Sequence, residues 1–235
     1  MSMVRNEPLS DIVDFERASD QKAIRAPRQD RSRQTMDRVL KALEELLDEK
    51  PFDRITMIEL AQRSGTGTSS IYARFKDKRS LILGVHGRLA EQVYPCLDRL
   101  FDFERLGKKP LRKIIHANLA SILRFYREHG QLVRAAVIVD APYVYERQVR
   151  VYCFAADRFS SLLYERLPAT VNRKDIDRAA DFSVRLVTSI LHQILVFKDF
   201  SLGRKPLSDR ALVDQMTVAI WATLQDAAGG RLKDE

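Results

Sequence analysis

Apolar residues recur at a helical spacing along most of this chain. The clearest case follows Arg33, where apolar residues fall at i, i+3, i+4, i+7, i+10 and i+11, the period of one helix face. These residues are Met36, Val39, Leu40, Leu43, Leu46 and Leu47. The same pattern down the chain predicts about nine helices and no convincing strand. The sequence therefore predicts an all-α protein.

The stretch 56–78 predicts a helix, a tight turn and a second helix. Thr56 and Glu59 have the spacing of a capping box, in which hydroxyl and carboxylate each accept a backbone amide of the other residue. Gly65 ends the first helix, because glycine adopts a positive φ without strain. We expect three helices, over about 33–49, 56–63 and 67–74, around a small core. The predicted core residues are Leu40, Leu43, Leu47, Phe52, Ile55, Ile58, Ile71 and Phe75.

The second helix of this pair begins with small residues, most of which carry hydroxyls. They are Thr66, Gly67, Thr68, Ser69 and Ser70. Small side chains allow close approach to another surface, and hydroxyls can bond phosphate oxygens and base edges. Such a helix could enter a DNA major groove. The same residues also fit a plain surface hairpin, so the pattern alone leaves both interpretations open.

The net charge of +8, with a pI near 9.6, favours polyanionic partners. Residues 1–20 are mainly acidic, whereas residues 22–33 are basic. We expect residues 1–30 to be a flexible tail ending in a basic arm. Arg28, and Arg31 just after the tail, would follow DNA phosphates or enter the minor groove. The alternative is an ordinary solvated charge run. Lys76 adds positive charge beside the second helix.

The run Tyr72-Ala73-Arg74-Phe75-Lys76-Asp77-Lys78 ends the helix pair and precedes the apolar Leu81-Ile82. With these motifs, residues 33–82 resemble the DNA-binding domain of the TetR family of one-component transcriptional regulators. The resemblance implies that Thr56 contacts a phosphate and that Tyr72 and Lys78 contact the DNA backbone. It also implies that Thr68, Ser69 and Ser70 face base edges.

Beyond residue 79 the apolar spacing predicts a larger helical domain. Asp77 can cap its first helix, and Pro95 is expected to kink that helix. Gly130 is expected to end the second helix and Asp140 to cap a later one, while Gly203 with Pro206 makes the break between the last two helices. The expected helices cover about 77–103, 110–129, 132–139, 142–167, 172–200 and 208–228. We accordingly divide the chain into a tail (1–30), a helix-turn-helix DNA-binding domain (31–79) and a helical ligand-binding and dimerisation domain (80–230).

The last two helices carry apolar residues around most of their circumference. Examples in the first of them are Phe182, Val184, Leu186, Val187, Ile190, Leu191 and Ile194. Such helices need a covering surface beyond their own domain. We expect the pair to form a four-helix interface with a second copy, as the resemblance also implies. Twofold symmetry then predicts a near-palindromic operator.

The sequence offers no catalytic constellation. The four histidines are scattered, Cys96 and Cys153 stand far apart, and neither a phosphate loop nor metal ligands appear, so we expect no enzyme activity, metal or cofactor. A small-molecule pocket in the second domain is more plausible. Its candidate lining residues are His116, Tyr126, Tyr143, Tyr152 and Phe154. The alternative is that these side chains satisfy backbone carbonyls in a helical core.

The residues and the resemblance together predict a cytoplasmic, ligand-responsive transcriptional regulator that binds double-stranded DNA as a homodimer. We expect a repressor that an unknown small-molecule effector releases from a palindromic operator. No apolar run is long enough to span a membrane. The alternative hypothesis is a helical ligand-carrier or protein-interaction module that does not bind DNA specifically.

Overall fold

The computed structural model describes residues 30–195, 207–230 and 232. These residues form eight α-helices and one 3-10 helix, with no strand among them, so the all-α prediction is confirmed. The helices are α1 (Asp30–Glu49), a 3-10 helix (Phe52–Arg54), α2 (Met57–Ser64), α3 (Thr68–Tyr72), α4 (Lys78–Leu100), α5 (Phe103–Leu106), α6 (Leu111–Arg166), α7 (Arg173–Leu195) and α8 (Asp209–Ala227). Residues 1–29 of the predicted tail and the predicted break at Gly203 and Pro206 lie outside this description.

Helix α6 covers three helices that the sequence predicted separately, and it is kinked at Asp140, between the second and the third of them. The predicted end at Gly130 was wrong, since the helix continues through it. Glycine costs a helix interior only about 1 kcal/mol, which the buried neighbours Leu132 and Val133 offset. The predicted cap at Asp140 is confirmed: this residue leaves helical geometry (φ −155°, ψ 79°), and its Oδ1 accepts from the Tyr143 amide at 3.3 Å.

The described residues form two compact units. The head unit comprises residues 30–93 together with 130–148, and the body unit comprises residues 94–129 with 149–195, 207–230 and 232. In α4 the border between the units falls between Val93 and Tyr94. Pro95, which lies within this helix, is the second residue after the border. The three-domain division made from the sequence stays a prediction.

The head unit is built on apolar faces of its short helices, with one correction to the predicted core. Ile58 is 65% exposed, whereas Leu60 is 1% exposed. Leu60 therefore takes the core position that was predicted for Ile58. Two residues correspond to about 200° around a helix, so the two side chains cannot share a face. The other predicted core residues of α1, α3 and the linkers are buried, except Phe52, which is half-buried.

The body unit has its own apolar core between parts of α6, α7 and α8. Fully buried members include Leu162, Leu163, Ala180, Leu191 and Leu224. The short helix α5, which the sequence did not predict, packs Leu106 against this core and is capped by Asp102. No helix among the described residues has the length and apolarity that crossing a bilayer requires.

Candidate nucleic-acid interface

Helix α2 begins with a complete capping box. The Thr56 hydroxyl accepts from the Glu59 amide at 3.2 Å, and Glu59 Oε2 accepts from the Thr56 amide at 2.9 Å. Bonding to Lys50, and then to the Thr56 amide and hydroxyl, lowers the pKa of Glu59 to about 2. The Thr56 hydroxyl also donates its proton to Glu59 Oε2 at 3.0 Å. For the predicted phosphate contact, the hydroxyl must break this bond and donate to the phosphate instead.

Gly65 makes the turn between α2 and α3. Its φ of 59° and ψ of 34° lie in the left-handed region, where glycine alone is unstrained. The next residue, Thr66, was predicted to contact DNA, but it is buried. Its hydroxyl donates to the Ser64 carbonyl at 3.3 Å, and its amide donates to the Ala61 carbonyl at 3.0 Å. Thr66 therefore stabilises the turn, and we exclude it from the proposed DNA contacts.

Helix α3 presents its polar residues away from the head core. Ile71 is fully buried, and a residue two positions away in either direction lies about 200° around the helix. Ser69 and Ala73 hold these positions, and both are exposed. Ala73 was missed from the sequence, although its spacing from Ile71 could have identified it. Its methyl group is the kind that contacts a thymine methyl.

The remaining residues at the start of α3 differ in accessibility. Thr68 is exposed, whereas Ser70 is half-buried and its carbonyl accepts from Arg74 Nη1 at 2.7 Å. Gly67 is the exposed N-cap residue, and an added Cβ would meet only Ser69 Oγ at 3.8 Å. Glycine is thus not required there by the backbone, but it leaves open space beside the exposed hydroxyls.

Tyr72 and Lys76 lie on the exposed side of the same segment. The Tyr72 side chain is 52% exposed, and Lys76 is exposed as well. An exposed phenol and an exposed ammonium are suited to phosphate oxygens. Phe75, between them, is fully buried and holds the segment on the core. The structure thus leaves both predicted contacts accessible to a partner.

Lys78 is engaged within the head. Its ammonium donates to the Asp53 carbonyl at 3.3 Å and lies 4.5 Å from the centre of the Phe52 ring. Burial lowers the pKa of Lys78, and the Asp53 charge opposes that shift. The side chain therefore ties the first turn of α4 to the 3-10 helix. Two of its three donors remain for the predicted contact with DNA.

The start of α4 is a second reciprocal cap. Asp77 Oδ1 accepts from the Ser80 amide at 2.7 Å, and the Ser80 hydroxyl accepts from the Asp77 amide at 3.1 Å. The Ser80 amide, and then the Ser80 hydroxyl at 2.8 Å, donate to the Asp77 carboxylate and lower its pKa. These contacts confirm the predicted capping role of Asp77. The predicted DNA contacts of the basic arm stay predictions, because Arg28 and the side chain of Arg31 lie outside the described residues.

The structure divides the five predicted pocket residues among several surroundings. His116 is an exposed residue whose Nε2 lies 3.0 Å from Asp214 Oδ1, so it is not in an apolar cavity. Tyr143 lies in the head unit, where its hydroxyl accepts from Arg147 at 2.9 Å. Phe154 is buried in the body unit and meets Tyr94 edge to face. The three side chains therefore have different partners.

Tyr126 and Tyr152 do come together in the body unit. Their hydroxyls hydrogen bond, and the Tyr152 hydroxyl lies 3.1 Å from His192 Nε2. Burial raises the pKa of Tyr126 to about 12, opposed by its bond to Tyr152, and burial also lowers the pKa of His192. His192 was not predicted as a member, because 40 residues separate it from Tyr152. In the described ranges, no cluster of His, Cys, Asp or Glu could hold a metal.

These features together form a helix-turn-helix: a capped helix, a glycine turn and a second helix with exposed polar side chains. Residues 39–85 match the family described as "Bacterial regulatory proteins, tetR family". The chain carries the TetR-family DNA-binding domain within a TetR-like helical fold. No curated protein sequence matches the chain.

Solved structures with a similar fold share little sequence with it. A candidate TetR-family transcriptional regulator from Mesorhizobium loti MAFF303099 is 17% identical with a TM-score of 0.62, covering 84% of this chain and 98% of its own. A TetR-family regulator from Streptomyces coelicolor is 18% identical with a TM-score of 0.61, covering 83% and 82%. The TetR family repressor AlkX from Dietzia sp. strain DQ12-45-1b is 17% identical with a TM-score of 0.50, covering 86% and 99%.

Proposed function

We propose that this protein is a homodimeric transcriptional repressor that binds a near-palindromic operator and is released by a small molecule held in the body unit. The observation that carries the proposal is the exposed outer side of α3, where Ser69 and Ala73 lie opposite the buried Ile71. AlkX, which shares the fold, is a repressor. We keep the cytoplasmic location as part of this proposal.

The proposed DNA contacts divide into base-reading and backbone-holding residues. Thr68, Ser69 and Ser70 would meet base edges in the major groove, because hydroxyls donate and accept hydrogen bonds with adaptable geometry. Tyr72, Lys76 and the remaining donors of Lys78 would hold phosphates. Gly67 would let the helix approach closely, and Arg28 and Arg31 would extend the contacts along the duplex. Thr56 would act mainly by capping the start of α2.

Selection from a random pool of duplex DNA by the purified protein tests this function. A homodimer with two reading helices should enrich a sequence with twofold symmetry and half-sites about one helical turn apart. Binding should also weaken steeply with salt, because phosphate contacts release counterions. Failure to enrich any sequence would favour the rival hypothesis, a helical ligand-carrier or protein-interaction module without specific DNA binding.

Two substitutions should separate backbone holding from base reading. Lys76→Ala should weaken binding to all duplexes to a similar degree and reduce the salt slope by about one, whereas Ser69→Arg should change the enriched sequence. Titration of each variant against the selected duplex and a scrambled one measures both effects. Lys76 is the better probe than Lys78, whose loss also removes the contacts to Phe52 and Asp53. Unchanged preference and affinity in both variants would overturn the assignment of α3.

The proposed dimer interface uses the outer side of α7 and α8. These helices pack on each other, and each leaves a large apolar side chain half exposed: Phe182 on α7 and Val218 on α8. The predicted all-round apolar pattern is thereby resolved into two sides. Val187 and Leu191 are buried in the body core, while Phe182 faces outward. An exposed phenylalanine in the middle of a helix is suited to the interface with a second copy.

Phe182→Glu should convert the dimer to a monomer, because two carboxylates would be buried near the twofold axis at a cost of several kcal/mol. Analytical ultracentrifugation over a range of protein concentrations measures the change. Lys174→Glu, an exposed substitution near the start of the same helix, is the matched control and should leave association unchanged. Equal association of both variants would place the interface elsewhere.

The effector site is proposed around Tyr126 and Tyr152. With His192 they supply two hydroxyls and an imidazole, and Tyr126 packs against the apolar body core. A few polar groups beside apolar side chains are the composition expected of a site that orients a mostly apolar ligand. The ligand would bind better to a conformation in which the two heads are misspaced for successive major grooves. His116, Tyr143 and Phe154 are left out because His116 is exposed, Tyr143 belongs to the head unit and Phe154 packs against Tyr94.

A further inference from the structure

The head unit includes a segment far along the chain, residues 130–148 of α6, beside the first half of α4. Two polar contacts join the helices. The Arg79 guanidinium donates to Asp140 Oδ2, and Arg147 Nη1 lies 3.2 Å from His86 Nδ1. Seven residues separate the partners on each helix, which is two helical turns. Both contacts therefore fall on one side of each helix, and the two helices run in the same direction here.

The Arg147 contact fixes the register of this pair. Arg147 is 1% exposed and His86 is 5% exposed. Nδ1 of His86 must be unprotonated to accept from the guanidinium, and the Tyr143 hydroxyl accepts from Nη2 at 2.9 Å with its ring 5.0 Å away. A buried guanidinium is stable only while its acceptors stay in place. Val144, which lies between Asp140 and Arg147 in the sequence, is fully buried.

The Asp140 contact is connected to the helix-turn-helix through the first turn of α4. Arg79 is the second residue of α4, and the first turn of that helix is tied to the helix-turn-helix by the Asp77 cap and by Lys78. Asp140 performs two tasks with different oxygens: Oδ1 caps the second half of α6 through the Tyr143 amide, and Oδ2 holds Arg79. The kink residue of α6 is thus joined to the residue that starts α4.

We propose that Asp140 is a positioning residue for operator recognition: it holds the first turn of α4, and through it α3, in the orientation that reads a sequence. This inference rests on the proposed function. The Arg79 side chain is 57% exposed, so the ion pair itself contributes little to stability. Its effect is on the geometry of the head and therefore on the preference for operator over other DNA.

Simple electrostatics predicts the opposite sign for removal of this carboxylate. Losing a negative charge and freeing the Arg79 guanidinium should strengthen binding to any duplex, because both changes favour phosphates. Positioning instead predicts a weaker preference for the selected sequence. Asp140→Asn separates the two, since asparagine also caps helices but leaves Arg79 without its ionic partner. Asp48→Asn, an exposed change on α1, controls for the lost charge.

The experiment compares the affinity of wild type, Asp140→Asn and Asp48→Asn for the duplex that wild type enriches and for a scrambled duplex. We expect Asp140→Asn to lower the ratio of the two affinities at least about fivefold, with scrambled binding unchanged or stronger. Asp48→Asn should keep the wild-type ratio. Arg79→Met should lower the ratio too, and the double variant should lose no more than either single change, because both break one contact.

The outcomes separate the inference from the function beneath it. If wild type enriches no sequence, the proposed function is overturned and this inference with it. If wild type has a preference that Asp140→Asn retains, only the positioning role is overturned. Thermal unfolding of each variant should give a midpoint close to wild type. A large drop for Asp140→Asn would show that Asp140 acts through stability, which also overturns the positioning role.

Discussion

Phe75→Ala is expected to destabilise the head by about 3–5 kcal/mol and to abolish operator binding. Phe75 lies directly after α3 and is fully buried, and its amide donates to the Ile71 carbonyl at 2.9 Å. Truncation would leave a cavity beneath α3, whose five residues cannot form an isolated helix in water. The residues that we propose to read DNA would lose their support before the rest of the protein unfolds.

Two probes can locate this effect. Trp221 is the single tryptophan and lies in the body unit, so its fluorescence should keep its wild-type unfolding midpoint. Amide hydrogen exchange across residues 39–85 should rise sharply in the variant. Phe75→Leu fills much of the same volume and should cost less than about 1.5 kcal/mol. Equal protection of the head in Phe75→Ala and wild type would contradict the assigned core role.

His86→Asn is expected to make the protein less sensitive to mild acid. Burial, and then the charge of Arg147, lowers the pKa of His86 to about 3, whereas its ordinary value is 6.5. Below pH 6.5 the unfolded chain binds a proton that the folded protein does not. The stability that follows from a neutral His86 is therefore complete above about pH 6.5 and is lost as the pH falls towards 3.

The size of this effect follows from the gap between the two pKa values. Each pH unit inside the gap changes the free energy of unfolding by about 1.4 kcal/mol, so wild type should lose about 2 kcal/mol between pH 8 and pH 5 through this one residue. Asparagine offers an oxygen near the place of Nδ1 and does not titrate. Urea unfolding at both pH values should therefore show a loss smaller by about 2 kcal/mol in His86→Asn than in wild type.

The comparison cancels the other groups that titrate. His192, whose pKa burial also lowers, is present in both proteins and contributes equally to each. His116→Asn, a change at an exposed imidazole, is the matched control for the substitution itself. Identical losses of stability in wild type and His86→Asn would show that His86 is not held neutral beside Arg147.

Sequence patterns located the candidate DNA-binding site better than the candidate effector site. The helix-turn-helix depends on residues within one continuous stretch, and its anchors, Ile71 and Phe75, are both fully buried as predicted. The candidate effector residues are spread along α6, and of them Tyr126 and Tyr152 meet. Their partner His192 lies on α7, and a single sequence gives no distance between helices. Residue type alone therefore selected too many candidates.

The sequence by itself determined the features that act within one helical turn. The Thr56 and Glu59 box, the left-handed Gly65, and the caps at Asp77 and Asp140 each involve residues at most about four positions apart. Such contacts join residues that are close in the sequence at the end of a helix, so the sequence is sufficient to predict them. The prediction at Gly130 was wrong for the complementary reason: a weak helix former is overridden when its helix is packed in a protein.

Only the tertiary structure decided which side of each helix is covered and which distant residues meet. Ile58 is exposed and Leu60 is buried because α2 lies on α1 through the Leu60 side. Arg79 meets Asp140 across 61 residues of sequence, and Arg147 meets His86 across the same separation. These contacts depend on how helices pack against one another, which is a property of the whole head unit and of no single stretch.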